Sequence, residues 1–210
     1  MMKYTNEQID LLRSSVEERL SNKRFFHTLG VENMAVRIGE KCLPDSLDII
    51  RAAALLHDIS KEYSEAEHFG LINHHNIKLS EYEKNEPALW HSVTAPLAVI
   101  EAYPEFADPG ILSAVRNHTV GSPDMSVLDE IILLSDYIEE GRTYDNCVNL
   151  RKDFLAELND LTDPDECINA LHRAVARSLD NNIKEFTSRG KAFHVNSQLA
   201  RDAVLAKSER

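Results

Sequence analysis

The run Ala52-Ala-Ala-Leu-Leu56, followed at once by His57-Asp58, constrains this chain more than any other segment. Apolar residues on every side of a helical turn mark a helix that is buried all round. Such a helix needs neighbours on each flank, and here its end carries an imidazole and a carboxylate into the same interior. Burying those groups is costly unless they are paired or hold a metal ion.

Most of the remaining sequence also reads at helical period. Ile9, Leu12, Val16 and Leu20 recur every three or four residues and predict an amphipathic helix over 6–20. Further helices are expected near 23–41, 47–60, 64–74, 80–85 and 90–103, where Pro96 marks a start, a kink or a break. Pro109 suits the first position of a helix over 110–118, and Ser126 suits the cap of one over 127–139, which Gly141 stops. Two more follow near 146–158 and 164–187. With only 7 Gly and 7 Pro, a turn-rich all-β fold is disfavoured, and an all-α helical bundle is expected. Its 210 residues fit one domain over 1–210, with a core from about 20 to 188. Ser188-Arg-Gly-Lys breaks the pattern, and composition alone reads the tail 189–210 as disordered.

A formal charge of −12, from 35 acidic against 23 basic residues, repels nucleic acids and anionic membranes, so neither is expected as a partner. A polyanionic ligand would need bound metal to reverse the field locally. Cys42, Cys147 and Cys167 form no Cys-x-x-Cys pair, which argues for a reducing compartment and against a thiolate zinc site. No apolar run approaches the roughly 20 residues that cross a bilayer, and the polar start lacks a signal core, so a cytoplasmic location is expected.

Nine histidines make an ordered His and Asp string easy to meet by accident. Burial separates His27, His57, Asp58, His91, His118 and Asp136, the last within Ile132-Leu-Leu-Ser-Asp136. Imidazoles with carboxylates suit iron, manganese, zinc or nickel. Consecutive helical side chains diverge by about 100°, so His57 and Asp58 address an ion from different sides, and the carboxylate can bridge two. Other conspicuous groups read more plainly: His68, His74 and His75 as an exposed polar helix end, Trp90 as core, Glu81, Glu83 and Glu86 as a solvated face, and His172 without a helical partner four residues on.

The segment Arg51-Ala-Ala-Ala-Leu-Leu-His-Asp-Ile-Ser-Lys-Glu62 resembles the signature of HD-domain phosphohydrolases. The order Arg24-Phe-Phe-His27, Leu56-His-Asp-Ile-Ser-Lys61, Trp90-His91, Asn117-His118-Thr-Val-Gly-Ser-Pro-Asp and Ser135-Asp136-Tyr-Ile-Glu-Glu-Gly-Arg142 is similar to the YqeK group, as is Phe193-His194-Val-Asn-Ser197-Gln-Leu-Ala-Arg201. The likeness spans about residues 20 to 202. That group comprises bacterial HD proteins that split diadenosine tetraphosphate symmetrically into two ADP.

The resemblance implies an HD-type bundle in which His27, His57, Asp58 and Asp136 hold a divalent or mixed-valent transition metal, with iron first and manganese, nickel or zinc as alternatives. His91 and His118 either complete a second metal site or contact phosphate oxygens. Ser122, Val120, Val195 and Ser197 depart from the residues common in the group, which bears on nucleotide preference rather than on the metal set. A homodimer and a small nucleotide substrate are implied as well. Within this frame Asp58 orients the attacking water and takes its proton, and Lys61 stabilises charge on the transferring phosphoryl group; its competing reading is a solvated lysine at a helix end. Arg24 and Arg142 either aim guanidinium groups at phosphate or form surface ion pairs. His91, His118, Asp136, His194, Ser197 and Arg201 are the further substrate-binding expectations, with the tail 189–210 folding back over the nucleotide. Two other functions stay open: another nucleotidase or nucleoside polyphosphate hydrolase on the same centre, and a non-catalytic metal- or nucleotide-sensing module.

Overall fold

Helix α3 (Leu47–Leu56) forms the middle of the molecule. Ile50, Ala52, Ala53, Ala54, Leu55 and Leu56 on it are fully buried, as the all-round apolar sequence requires. In this computed structural model, which describes residues 3–190 and 192–208, four helices enclose it: α1 (Asn6–Arg19), α2 (Asn22–Cys42), α7 (Pro109–Asn117) and α8 (Val127–Ile138). Alanine at three consecutive positions lets these neighbours approach from several sides. The flanking isoleucines and leucines then fill the space, each contributing about 1.5–3 kcal/mol by its burial.

The other helices are α4 (Glu65–His74), α5 (Glu81–Asn85), α6 (Trp90–Ala102), α9 (Asp145–Asp160), α10 (Pro164–Ser188) and α11 (Val195–Ser208). No strand occurs among the described residues. Local chemistry sets several boundaries. Ser21 caps α2, Asp108 caps α7 with Pro109 at its first turn, and Ser126 and Asp129 cap α8 reciprocally. Pro96 neither starts nor breaks α6, which continues through it. No described helix is long and apolar enough to cross a membrane.

Two expectations need correction. The α-helix over 47–60 ends at Leu56, and the chain continues in tight turns in which Ile59, Lys61 and Tyr63 donate to carbonyls three residues back. The tail forms α11, packed along α10 with Ala200 and Val204 fully buried. Their spacing of four puts both on one face, an apolar seam too narrow to stand out in a polar sequence.

Candidate metal centre

His57 and His118 are built the same way. Each sits at the C-terminal end of a helix, α3 and α7, and each donates its Nδ1–H to the carbonyl three residues back. The distances are 2.7 Å to Ala54 and 2.6 Å to Val115. That bond fixes the tautomer and leaves the Nε2 lone pair facing inward, the usual preparation of a metal-binding histidine.

Both rings converge on Asp58, which is 3% exposed. Its Oδ2 lies 3.5 Å from His57 Nε2 and 3.8 Å from His27 Nε2. Its Oδ1 lies 3.4 Å from His91 Nε2 and 3.6 Å from His118 Nε2. Two ligand sets result, His27–His57–Asp58 and Asp58–His91–His118, and Asp58 is their common member. From α8, Asp136 places Oδ1 3.0 Å from His27 Nε2. The six residues separated by the sequence thus come together, from α2, the end of α3, α6, the end of α7, and α8.

Two buried atoms of the cluster, His57 Nε2 and Asp58 Oδ1, make no hydrogen bond among the described residues. Buried polar atoms are rarely left so. Imidazole nitrogens and carboxylate oxygens, free of thiolate, are the donor set of a divalent transition metal, so the residues fit such an ion.

Charge is balanced closely around the cluster. Burial pushes the Asp58 carboxyl up, but His57, His118 and Lys61 outweigh it and hold the group well below the usual carboxylate range. Asp136 is likewise held down, burial being outweighed by His27 and Arg142. Burial, with His118 and Lys61 nearby, pushes His91 well below the ordinary imidazole value. His27 is raised to about 9, since its bonds with Asp136 and Glu139 overcome the opposing effect of burial.

Three cations ring the carboxylates. Arg24 Nη1 donates to Asp58 Oδ2 at 2.8 Å. Arg142 donates from Nη2 to Asp136 Oδ1 and from Nε to the Asp136 carbonyl. Lys61 Nζ stands 3.0 Å from His91 Nε2 and 4.0 Å from Asp58 Oδ1. It reaches this place from a three-residue turn rather than along a helical face. The surface readings of Arg24, Lys61 and Arg142 fall away, because each faces the cluster.

His194, Ser197 and Arg201 lie apart from it. The His194 ring packs edge-on against Tyr82, and Arg201 Nε pairs with Asp202 and Asp180. Ser197 donates to the carbonyl of Val120 at 3.1 Å, which ties α11 to the loop after His118. Gly121 in that loop has φ +72°, and a Cβ there would lie 2.9 Å from that of Ala200, so glycine meets both a backbone and a packing demand.

One residue close to the cluster escaped the sequence reading. Glu139 is 4% exposed, and its Oε1 lies 3.2 Å from His27 Nδ1. A Cβ at Gly30 would come within 2.6 Å of Glu139 Oε2, so α2 carries glycine where this carboxylate lies against it. The available signal was spacing, three residues after Asp136. Two other groups, His68 and Glu83, were misread as exposed. His68 is buried and bonded to Thr94. Glu83 is buried beneath Arg116. His172 meets the fully buried Glu130 at 2.6 Å. Trp90 is buried, as expected, with its indole N–H on the Glu83 carbonyl.

Comparison with known proteins agrees with this geometry. Residues 24–141 match the HD domain family, a span that contains the whole cluster. A Bacillus subtilis protein named symmetrical bis(5'-nucleosyl)-tetraphosphatase is 34% identical over 69% of this chain and 76% of its own. A protein of the same name from Halalkalibacterium halodurans is 32% identical over 69% of this chain and 75% of its own. The crystal structure of a predicted HD superfamily hydrolase involved in NAD metabolism, from Clostridium acetobutylicum, superposes with a TM-score of 0.80 at 27% identity. That match covers 94% of this chain and 97% of the other. The chain belongs to the HD-domain family, in its YqeK branch.

Proposed function

We propose that this protein hydrolyses diadenosine tetraphosphate between its second and third phosphates, releasing two ADP. The observation that carries the reading is the placement of Asp58, whose two oxygens face two separate pairs of imidazoles. A carboxylate so placed suits two ions, a common arrangement for displacement at phosphorus. His27, His57, Asp58 and Asp136 would hold one ion, and His91 and His118 would complete the second site with Asp58. When bound, such ions supply a water of lowered pKa and neutralise charge on the phosphoryl oxygens.

The protein's own groups do the rest. Asp58 orients the attacking water and accepts its proton at a carboxylate oxygen. Arg24, Arg142 and Lys61 present N–H donors towards phosphoryl oxygens, where charge builds as the bridging bond breaks. Water adds to one inner phosphorus, the bridging oxygen departs with the other half, and both products are ADP. Glu139 holds the His27 ring from behind through Nδ1. Residues 1–210 form one domain in this reading, in which α11 supports the loop after His118. Iron as the ion and a homodimer belong to the same proposal and rest on the resemblance of the motifs, and a cytoplasmic location belongs to it on the strength of the three free cysteines.

The test is chromatography of the products formed from diadenosine tetraphosphate by protein assayed for metal, beside an Asp58→Ala control. Two ADP from the wild type and none from the control is the expected result. AMP with ATP would overturn the cleavage position, and no turnover of any nucleotide by metal-bearing protein would overturn the enzyme.

A further inference from the structure

The four histidines of the centre are not held alike. His57 and His118 each have Nδ1 fixed by a helix carbonyl, and His27 has its Nδ1 against Glu139. At His91 the neighbour of Nδ1 is Lys61 Nζ, 3.2 Å away. An ammonium has no acceptor to offer, so it does not lock this ring as a carbonyl locks the others. Yet His91 is 3% exposed, and its Nε2 stands 3.1 Å from His118 Nε2. The direction of this ring has to come from the main chain that carries it.

That main chain is gripped at three successive residues. The His91 carbonyl accepts from the fully buried Ser60 Oγ at 3.1 Å, two residues beyond Asp58. Trp90, just before it, donates its indole N–H to the Glu83 carbonyl at 2.8 Å. Ser92, just after it, accepts from Arg116 Nη1 at 3.4 Å. The other arm of Arg116, Nη2, donates to Glu83 Oε1, and Arg116 lies two residues before His118 on α7. Glu83 therefore meets both partners of the pair. Its carbonyl holds the entry to His91, and its carboxylate holds the helix of His118. The side chain is buried, and Oε2 takes the N–H and the hydroxyl of Ser80, each at 2.8 Å. Burial pushes its carboxyl up, but the bonds from Ser80 and Arg116 outweigh this and hold it below the ordinary value. A buried carboxylate with both oxygens bonded is fixed in place, and it fixes its partners in turn.

We propose that Glu83 is a positioning residue for the second ligand pair, setting His91 against His118 through Trp90 and Arg116. It acts through those two residues and not on the ion. His27 and His57 hang on α2 and α3, to which Glu83 makes no hydrogen bond among the described residues. Loss of its charge should loosen one ligand set and spare the other. The proposal rests on the reading of Asp58, His91 and His118 as a second ion site, and the nucleotide hydrolysed does not enter it.

The test is titration of a chelator into the metal-bearing protein loaded with manganese, with manganese per chain counted by elemental analysis. The release step of the second pair is the one missing from His118→Ala. Glutamine, like glutamate, completes a capping box, so Glu83→Gln keeps the start of α5. Its single carboxamide oxygen cannot serve Ser80 and Arg116 together. Losing support of this kind costs about 10–100-fold in metal affinity, so Glu83→Gln should weaken that step at least about tenfold and leave the other unchanged. Trp90→Phe keeps an aromatic ring without the N–H and should weaken the same step by less; it carries the test if Glu83→Gln fails to fold. The exposed Glu81→Gln on the same helix should alter neither step. Both steps weakened alike, neither weakened, or a single manganese per wild-type chain would overturn the proposal. Selective loss of the second ion in a protein that turns over no nucleotide would leave the positioning role standing and overturn the hydrolase reading instead.

Discussion

At the surface, His74, His75 and Glu101 gather their ligand-type atoms as closely as Asp58, His91 and His118 do in the interior, all within 4.8 Å of one another. In residue type and spacing the two groups are hard to tell apart. Their surroundings differ. His74 is 75% and Glu101 43% exposed at the side chain, so water satisfies them and their rotamers are free. In the interior, Asp58 is 3% exposed and its Oδ1 lacks a hydrogen bond. His118 is locked by the Val115 carbonyl. A weak ion pair explains the first group fully. The second is organised around something the protein alone does not supply, and what separates them is orientation enforced by burial.

The comparison breaks most sharply at Asp58. Asp58→Ala removes the member common to both ligand sets and should abolish turnover together with bound metal, measured by elemental analysis of purified protein. Retention of full metal content would sink the shared-ligand reading. Next in size is Glu139→Gln, which weakens the carboxylate behind His27. Losing such support typically costs about 10–100-fold in metal affinity or activity, and a chelator titration would show it. A change below twofold would reduce Glu139 to a packing residue.

A third variant separates stability from chemistry. Glu130 is fully buried between His172 and Lys207, with Lys207 Nζ 2.9 Å from Oε1 and also bonded to the Met125 carbonyl. Lys207→Met strips the buried carboxylate of one partner and should cost about 1–3 kcal/mol in urea unfolding, with His172 still bonded. An unchanged unfolding midpoint would mean that water replaces the ammonium freely. The smallest effect belongs to the surface group. His74→Ala with His75→Ala should leave metal content and turnover unaltered, and stability within about 0.5 kcal/mol. A drop in either would show that surface group to be more than an ion pair.

The helices were legible because their apolar residues recur at a period that few other structures share, and α3 announced its burial through Ala52 to Leu56. The centre was legible for the same reason, since His57, Asp58 and Asp136 continue apolar runs. What sequence could not give was pairing across distance. Glu83 looked solvated until Arg116, 33 residues away, closed over it. His68 looked like a polar helix end until Thr94 and Trp90 covered it. Glu139 depended on the chain turning at Gly141, whose N–H binds the same carboxylate that reaches His27. The turns after Leu56 escaped because tight and regular helical bonding share one sequence pattern.

The fastening of the loop after His118 by α11 sets an order of events during synthesis. Ser197 reaches back 77 residues to Val120, and Lys207 reaches back 82 to Met125. A growing chain is synthesised at about 5–20 residues per second and folds from its N-terminal side. His27, His57, His91, His118 and Asp136 therefore all emerge several seconds before the helix that steadies the loop between the last two. A nascent chain on the ribosome would hold every ligand-type residue of the centre while that loop is still unsecured, and metal capture and completion of α11 become successive events.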